Sequence, residues 1–243
     1  MSFPTDGLSA SAQEPAALHK RDLVYRSIKK DLVDGAYAPG DTLVIVDLAK
    51  EFGASRQPVP EALKRLSQEG FVEIVPQVGV RIPRPDPATV VDFYRVFACV
   101  EGLASEMAAE SADHQGHERL EAAITEMDAR VRAGGLSMSE YLGLNRAVHG
   151  RIHDMTGSAE VVRAARGYWD RSDFLLATIF GGPREADSFR VSHDHHAILT
   201  AIEKADAPVA RGLAAEHILS VGRALADRLQ SSADLTAGVG VSI

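Results

Sequence analysis

The chain is short of several things at once, and each shortage closes an option. Among 243 residues there is one cysteine, Cys99, so no disulfide can form within the chain. Set in an apolar helical run, Cys99 is expected to be a buried small hydrophobe. Aromatic residues are only 6% of a chain that is 45% hydrophobic. That balance, rich in Ala and Leu, favours packed helices over a β sandwich. No run of 18 apolar residues occurs, so no membrane span is expected. The N-terminal stretch MSFPTDGLSASAQEPA has neither the basic start nor the apolar centre of a secretory leader, and the expected location is the cytoplasm. There is no H-E-x-x-H, no G-x-S-x-G and no glycine-rich phosphate loop, which removes the common zinc-hydrolase, serine-hydrolase and nucleotide-binding chemistries.

Acidity is the next constraint. The net charge of −8 at first argues against nucleic acid as a partner. Its distribution matters more. Residues 17–83 are slightly positive and the acid excess lies elsewhere, the pattern of a weakly basic reading module on an acidic body. The length allows two ordinary domains. Residues 1–16 are small and polar and are expected to form a disordered tail. Leu23, Val24, Ile28 and Leu32 place a helix over 17–34, ended by Gly35, and Pro39-Gly40 fits a type II turn. Prolines at 83, 85 and 87 mark 84–88 as a linker. From Thr89 to Leu229 the pattern is helical, with helices expected near 89–111, 115–133, 137–156, 158–179, 185–204 and 207–230, and a loose tail over 231–243. The expected fold is mainly α: an N-terminal winged helix-turn-helix over 17–83, then an all-helical bundle of six to seven helices over 89–230.

The segment LVIVDLAKEFGASRQPVPEALKRLSQEGFVEIVPQVGVRI, residues 43–82, carries that first assignment. Leu48, Ala49 and Phe52 mark a short helix and Gly53-Ala54-Ser55 a turn. Val59, Ala62, Leu63 and Leu66 stripe a second helix, and Gly70 ends it. Phe71–Val75 and Val78–Ile82 read as the two strands of a wing. This order presents one helix to the DNA major groove. Ser55 sits where that helix would be capped. Arg56 and Gln57 follow at the end that faces base edges, where Arg pairs with guanine and Gln with adenine. Lys64 and Arg81 are placed to reach phosphate. If Ser55 caps the helix, Pro60 falls at its fifth position and removes a backbone bond to Arg56.

With Ala38-Pro39-Gly40, Leu48-Ala49, Gly53, Ser55-Arg56, Pro58-Val59, Glu61-Ala62-Leu63, Arg65-Leu66, Glu69-Gly70 and Gly79 at these spacings, the segment resembles the GntR family of bacterial transcription regulators. The resemblance implies DNA contacts by Ser55, Arg56, Gln57, Lys64, Arg81 and the wing glycine Gly79. The chain departs from the pattern at Pro60 and Val46, both often Arg in relatives, and at Val44, where a Ser cap is usual. Base readout is therefore expected to lean on Arg56, Gln57 and the wing.

The second half holds polar imidazoles on apolar stripes. Asn145 and His149 are one turn apart on a helix whose Val148, Ile152 and Met155 face a core. His195 lies with Val191, Ile198 and Ile202, and His217 with Val209, Leu213 and Val221. Three buried imidazoles need partners, because each left unsatisfied costs about 1–3 kcal/mol. A shared metal would serve all three; hydrogen-bonded core histidines or direct effector contacts are the other readings. The helix count and the run His195-His196-Ala197-Ile198-Leu199 resemble the FCD ligand-binding domain of the FadR-like branch. That resemblance implies a divalent metal, zinc, nickel or manganese, on Asn145, His149, His195 and His217. Asn145 stands where a carboxylate is common, so the site is one negative charge short and an anionic ligand would balance it. An octahedral ion with four protein ligands keeps two positions for a carboxylate effector. Phe97 stands where relatives place an Arg; with Glu101, Arg146 and His153 it is a candidate effector contact. His193 and His196 are further candidates, and His19, His114 and His117 are expected to be solvated.

The reading is a ligand-responsive, homodimeric DNA-binding regulator, a repressor of a metabolic operon, acting at a pseudo-palindromic operator and sensing a small organic acid. It is not expected to be an enzyme. The alternative is a metal-dependent enzyme using the histidine site.

Overall fold

The computed structural model describes residues 14–53, 58–111, 113–180 and 194–238, with side chains described between 21 and 231 within those ranges. These residues form nine α-helices and three short strands. The chain divides into two compact units, 1–32 with 40–83, and 33–39 with 84–243.

The first unit contains α1 (Glu14–Val33), β1 (Thr42–Leu43), α2 (Ile45–Glu51), α3 (Pro58–Gln68), β2 (Glu73–Val75) and β3 (Gly79–Arg81). The stripe Val59, Ala62, Leu63 and Leu66 is buried as its spacing requires, and Ile28, Leu32, Leu48, Phe71 and Ile82 are buried with it in the core of this unit. α3 stops at Gly70, whose φ of 79° lets the Phe71 N–H turn back to the Leu66 carbonyl at 2.9 Å, the αL closure that glycine permits. Gly40 has the positive φ, 92°, that a type II turn needs after Pro39.

Three expectations change here. Leu23 is 48% exposed, and Tyr25 takes the buried place beside Val24. The wing is narrower than expected, and a third strand joins it: antiparallel order β1-β3-β2, with Leu43 and Ile74 both opposite Val80. A two-residue strand has no period to read. The described part of α3 starts at Pro58; the expected cap at Ser55, on which the place of Pro60 in the helix depends, lies outside the described residues. Residues 14–16, counted with the tail, are the first turn of α1.

The second unit contains α4 (Pro87–Glu110), α5 (His114–Ala133), α6 (Met138–Met155), α7 (Ala159–Phe180), α8 (His195–Glu203) and α9 (Ala207–Gly238). Local chemistry sets the helix starts. Asp86 accepts from the Thr89 N–H at 2.9 Å, with Pro87 in the first turn, so α4 opens inside the segment expected to be linker. Asp113 accepts from the Gly116 N–H at 2.8 Å, and Ser137 and Glu140 form a reciprocal capping box on α6. Each such cap contributes about 1 kcal/mol. α9 continues to Gly238, through residues expected to be loose. The expected start of the fifth helix, near 185, lies outside the described residues.

Two faces are rotated from expectation. Cys99 is exposed, on an outward stripe of α4 with Val96 (51%) and Leu103 (41%). On α9 Val209 is 47% exposed; Val221 is in the core as expected, with Ala210, Ala214, Ile218 and Leu225 beside it. Helices α4 and α9 pack most extensively. Gly222 allows their approach: a Cβ there would lie 2.5 Å from the Tyr94 Cβ.

Candidate functional site

Three helices each deliver one imidazole to a common point. His149 comes from α6, His195 from the first turn of α8 and His217 from α9, and each is 1–2% exposed. One ring nitrogen from each lies within 4.8 Å of the others. The Nε2 atoms of His149 and His195 are 3.3 Å apart. The His195 and His217 ring centroids are 4.6 Å apart. Burial, with neighbouring His149 adding to it, pushes His195 far below its ordinary range and His217 down to about 4, although Asp194 opposes the shift on His217. Both are neutral near pH 7 and offer lone pairs. Asp194 Oδ2 lies 3.5 Å from His217 Nδ1, and that nitrogen makes no hydrogen bond.

Glu101 on α4 organises one side of this cluster. Its carboxylate is 2.9 Å from His149 Nδ1, from His153 Nε2 and from the Trp169 indole nitrogen. Burial alone would raise its pKa, but the bonds with His149 and His153 outweigh burial and hold it at about 2. An ionised acceptor on Nδ1 keeps the His149 proton there and turns the Nε2 lone pair toward His195 and His217, as an outer carboxylate does for a metal-binding histidine. The donor set fits a divalent cation: three buried imidazoles and, one turn before His149 on α6, the Asn145 Oδ1, buried without a partner.

A cavity of about 10 Å³, room for one water-sized sphere, adjoins the cluster. Phe97, Tyr94, Tyr141, Asn145, Trp169 and His217 are among its walls. Tyr94 and Ser172 close part of it through a 2.8 Å hydroxyl pair. Of the four effector candidates Phe97 alone lines it. Glu101 and His153 lie behind the imidazoles, bonded to each other. Arg146 is held away by Asp170 at 2.8 Å and Asp173 at 2.5 Å. Burial raises the Asp173 carboxyl to about 6 against the pull of Arg146. His196 is exposed and bonds Asp128 at 2.9 Å; His193 and Val191 lie outside the described residues. His117, expected to be solvated, has its Nε2 buried without a hydrogen bond. Sequence reasoning missed Trp169, Tyr94, Tyr141 and Ser172; an aromatic on an apolar stripe gives no sign of where its polar end points.

In the first unit Lys64, Gly79 and Arg81 are exposed. Ser55, Arg56 and Gln57 lie outside the described residues. The other charged residues on the outer side of α3 are committed to α1. Glu61 pairs with Arg21 at 2.6 Å. Arg65 bonds Glu69 at 3.1 Å and lies 3.7 Å over the Tyr25 ring. Tyr25 and Lys29 also reach Glu69, at 2.6 and 2.9 Å. This network fixes α3 on α1 and leaves Pro60 and Lys64 facing outward.

Comparison with known proteins agrees with both halves. Residues 20–82 match the family described as bacterial regulatory proteins, gntR family, and residues 92–220 match the FCD domain. The chain is 32% identical over 217 residues to an HTH-type transcriptional regulator in an unstable DNA locus of Streptomyces ambofaciens, covering 86% of each. It is 22% identical to the HTH-type transcriptional repressor RspR of Escherichia coli, over 87% of this chain and 91% of that one. Among solved structures, E. coli McbR/YncC has the same fold, with a TM-score of 0.69 at 22% identity over 86% and 98% of the two chains.

Proposed function

Because the chain belongs to the gntR family of bacterial regulatory proteins and carries an FCD domain, we propose a cytoplasmic repressor that releases its operator when a small organic acid binds. Its domains and relatives are those of transcription regulators, not enzymes, so the histidine cluster serves sensing. Residues 17–83 read DNA and the helices from α4 to α9 sense the ligand, joined through 84–86. Ser55, Arg56 and Gln57 contact base edges, and Lys64, Arg81 and the wing at Gly79 hold the backbone.

The observation that carries the sensing half is the convergence of His149, His195 and His217 beside an unpartnered Asn145 oxygen. These four hold a divalent ion, zinc, nickel or manganese. Such an ion supplies a Lewis-acid anchor for a carboxylate oxygen. Glu101 orients His149, and the water-sized cavity walled by Tyr94, Phe97 and Trp169 widens to give the rest of the effector an apolar surface. A cation of charge two, with Glu101 nearby and a neutral Asn145, leaves about one positive charge to balance. That favours an effector with one carboxylate over a diacid, because the wall carries no free cation at Phe97 and Arg146 is paired elsewhere.

The exposed stripe Val96, Cys99 and Leu103 on α4 is an apolar face suited to a second copy. A homodimer also suits a pseudo-palindromic operator. The effector acts by preferring one arrangement of that dimer over the other.

The test is fluorescence anisotropy on an operator selected with the full-length protein. Monocarboxylates should release DNA from the metal-loaded protein and not from chelator-treated protein, and His149→Ala should abolish release while retaining DNA binding. Equal release with and without metal would remove the ion from the mechanism.

A further inference from the structure

We propose that Pro60 is a specificity-determining residue that contacts the 5-methyl group of a thymine in each half of the operator. Pro60 and Lys64 are both exposed and lie four residues apart on α3, so they share one face. Their neighbours Glu61 and Arg65 are turned to α1 and held there by Arg21, Glu69 and the Tyr25 ring. Pro60 therefore stands on the open face of the reading helix, in the first turn of its described part, the end that meets base edges in this motif.

Packing accounts for Pro58, which is buried; it does not account for Pro60, which is not. The Pro60 ring presents only methylene groups, and its nitrogen carries no proton. Against the major-groove edges of adenine, guanine or cytosine it would cover donors and acceptors without pairing them, which is unfavourable. The thymine methyl is the one apolar group on those edges. Pro60 thus favours thymine by contact and disfavours the other bases by leaving their polar groups unmatched.

The test uses the full-length protein. Binding sequences are first selected from a random duplex pool. Each thymine of the selected half-site is then replaced in turn by deoxyuridine, which removes only the methyl group. At one thymine per half-site the affinity should fall about fourfold, the equivalent of ~0.8 kcal/mol for one buried methyl-sized group. With both half-sites altered the fall should be about 15-fold. Pro60→Ala should bind the thymine and deoxyuridine operators equally and unfold at the wild-type temperature, and Pro60→Arg should shift the selected base at that position to guanine. Specific binding that is insensitive to every thymine-to-deoxyuridine replacement would overturn the proposal and leave the DNA-reading function intact. So would a methyl effect that persists in Pro60→Ala. The deoxyuridine series on the wild-type protein decides the question even if a variant fails to fold.

Discussion

The two units bury polarity differently. Among the described residues every buried polar or charged side chain is in the second unit: Glu101, Ser105, His149, His153, Ser172, Asp173, Thr178, His195 and His217. The first unit has an apolar core, and its polar network joins the hydroxyl of the buried Tyr25 to Lys29, Arg65 and Glu69, which are half-buried or exposed. A buried polar group is costly unless it is paired, so natural cores avoid them without a reason. In the proposed function the reader meets its target on the outside, where Lys64 and Arg81 are exposed, and needs from its core only rigidity, whereas the sensor meets its target on the inside and must keep unpaired acceptors there. The orphaned Asn145 oxygen and the unbonded His217 nitrogen sit where a ligand would satisfy them.

The comparison breaks first at Glu101. Glu101→Ala leaves His149, His153 and Trp169 facing a hole where an ionised acceptor stood. Leaving buried donors without their ionised acceptor costs about 1–3 kcal/mol for each, and losing the carboxylate that would orient a metal-binding histidine lowers metal affinity about 10- to 100-fold. Urea unfolding and zinc titration should record both losses. In the reader, Leu66→Ala should match the stability loss at about 2–5 kcal/mol with no change in zinc affinity. If Glu101→Ala unfolds like the wild type, the buried cluster is ornamental to stability and the contrast between the units fails.

Much of this was legible in the sequence, and the limits are physical. The stripe Val59, Ala62, Leu63 and Leu66 was readable because a surface helix has one wet face. His149, His195 and His217 were readable because a polar ring on an apolar stripe is conspicuous. The phase of α4 and α9 was not. Cys99 and Val209 sit in helices apolar on most sides, so periodicity does not say which side faces in. The partners of Glu101 were also hidden: His149 and Trp169 lie 48 and 68 residues away, and only the packing of α4, α6 and α7 brings them together. The partners of Arg146 were hidden for the same reason, since Asp170 and Asp173 lie on another helix.

Asp173 sharpens the contrast through pH. Its carboxyl is raised from 3.8 to about 6, so the folded protein favours the neutral acid more than the unfolded chain does. The resulting stabilisation is complete below about pH 4 and is lost as pH climbs through about 6, a difference of ~3 kcal/mol. Asp173→Asn keeps an acceptor for Arg146 and removes the titration. Unfolding free energies from pH 4 to 8 should therefore flatten in the variant relative to the wild type. A wild-type profile that does not fall relative to Asp173→Asn between pH 4 and 7 would mean that Arg146 holds Asp173 ionised throughout, against burial and the neighbouring Asp170.

The smallest effect on stability belongs to Lys64, and it is informative for that reason. Lys64 is exposed on α3 and contributes little to the fold, so Lys64→Ala should change the unfolding free energy by less than about 0.5 kcal/mol. Its expected work is on phosphate. A lysine that neutralises one phosphate releases about one counterion on binding, and its removal takes that release out of the equilibrium. Two copies of the chain on one operator bring two such lysines, so the slope of log affinity against log salt should become shallower by roughly 2 in the dimer. The weakening should fall alike on matched and mismatched operators, because holding a phosphate positions the helix without reading sequence. Pro60 and Lys64 share a face, yet their variants should differ in kind: Pro60→Ala changes which sequence is preferred at a constant salt slope, and Lys64→Ala changes the slope at a constant preference. A Lys64→Ala protein with altered base preference and an unchanged slope would place Lys64 on a base edge and move the assignment of roles along α3.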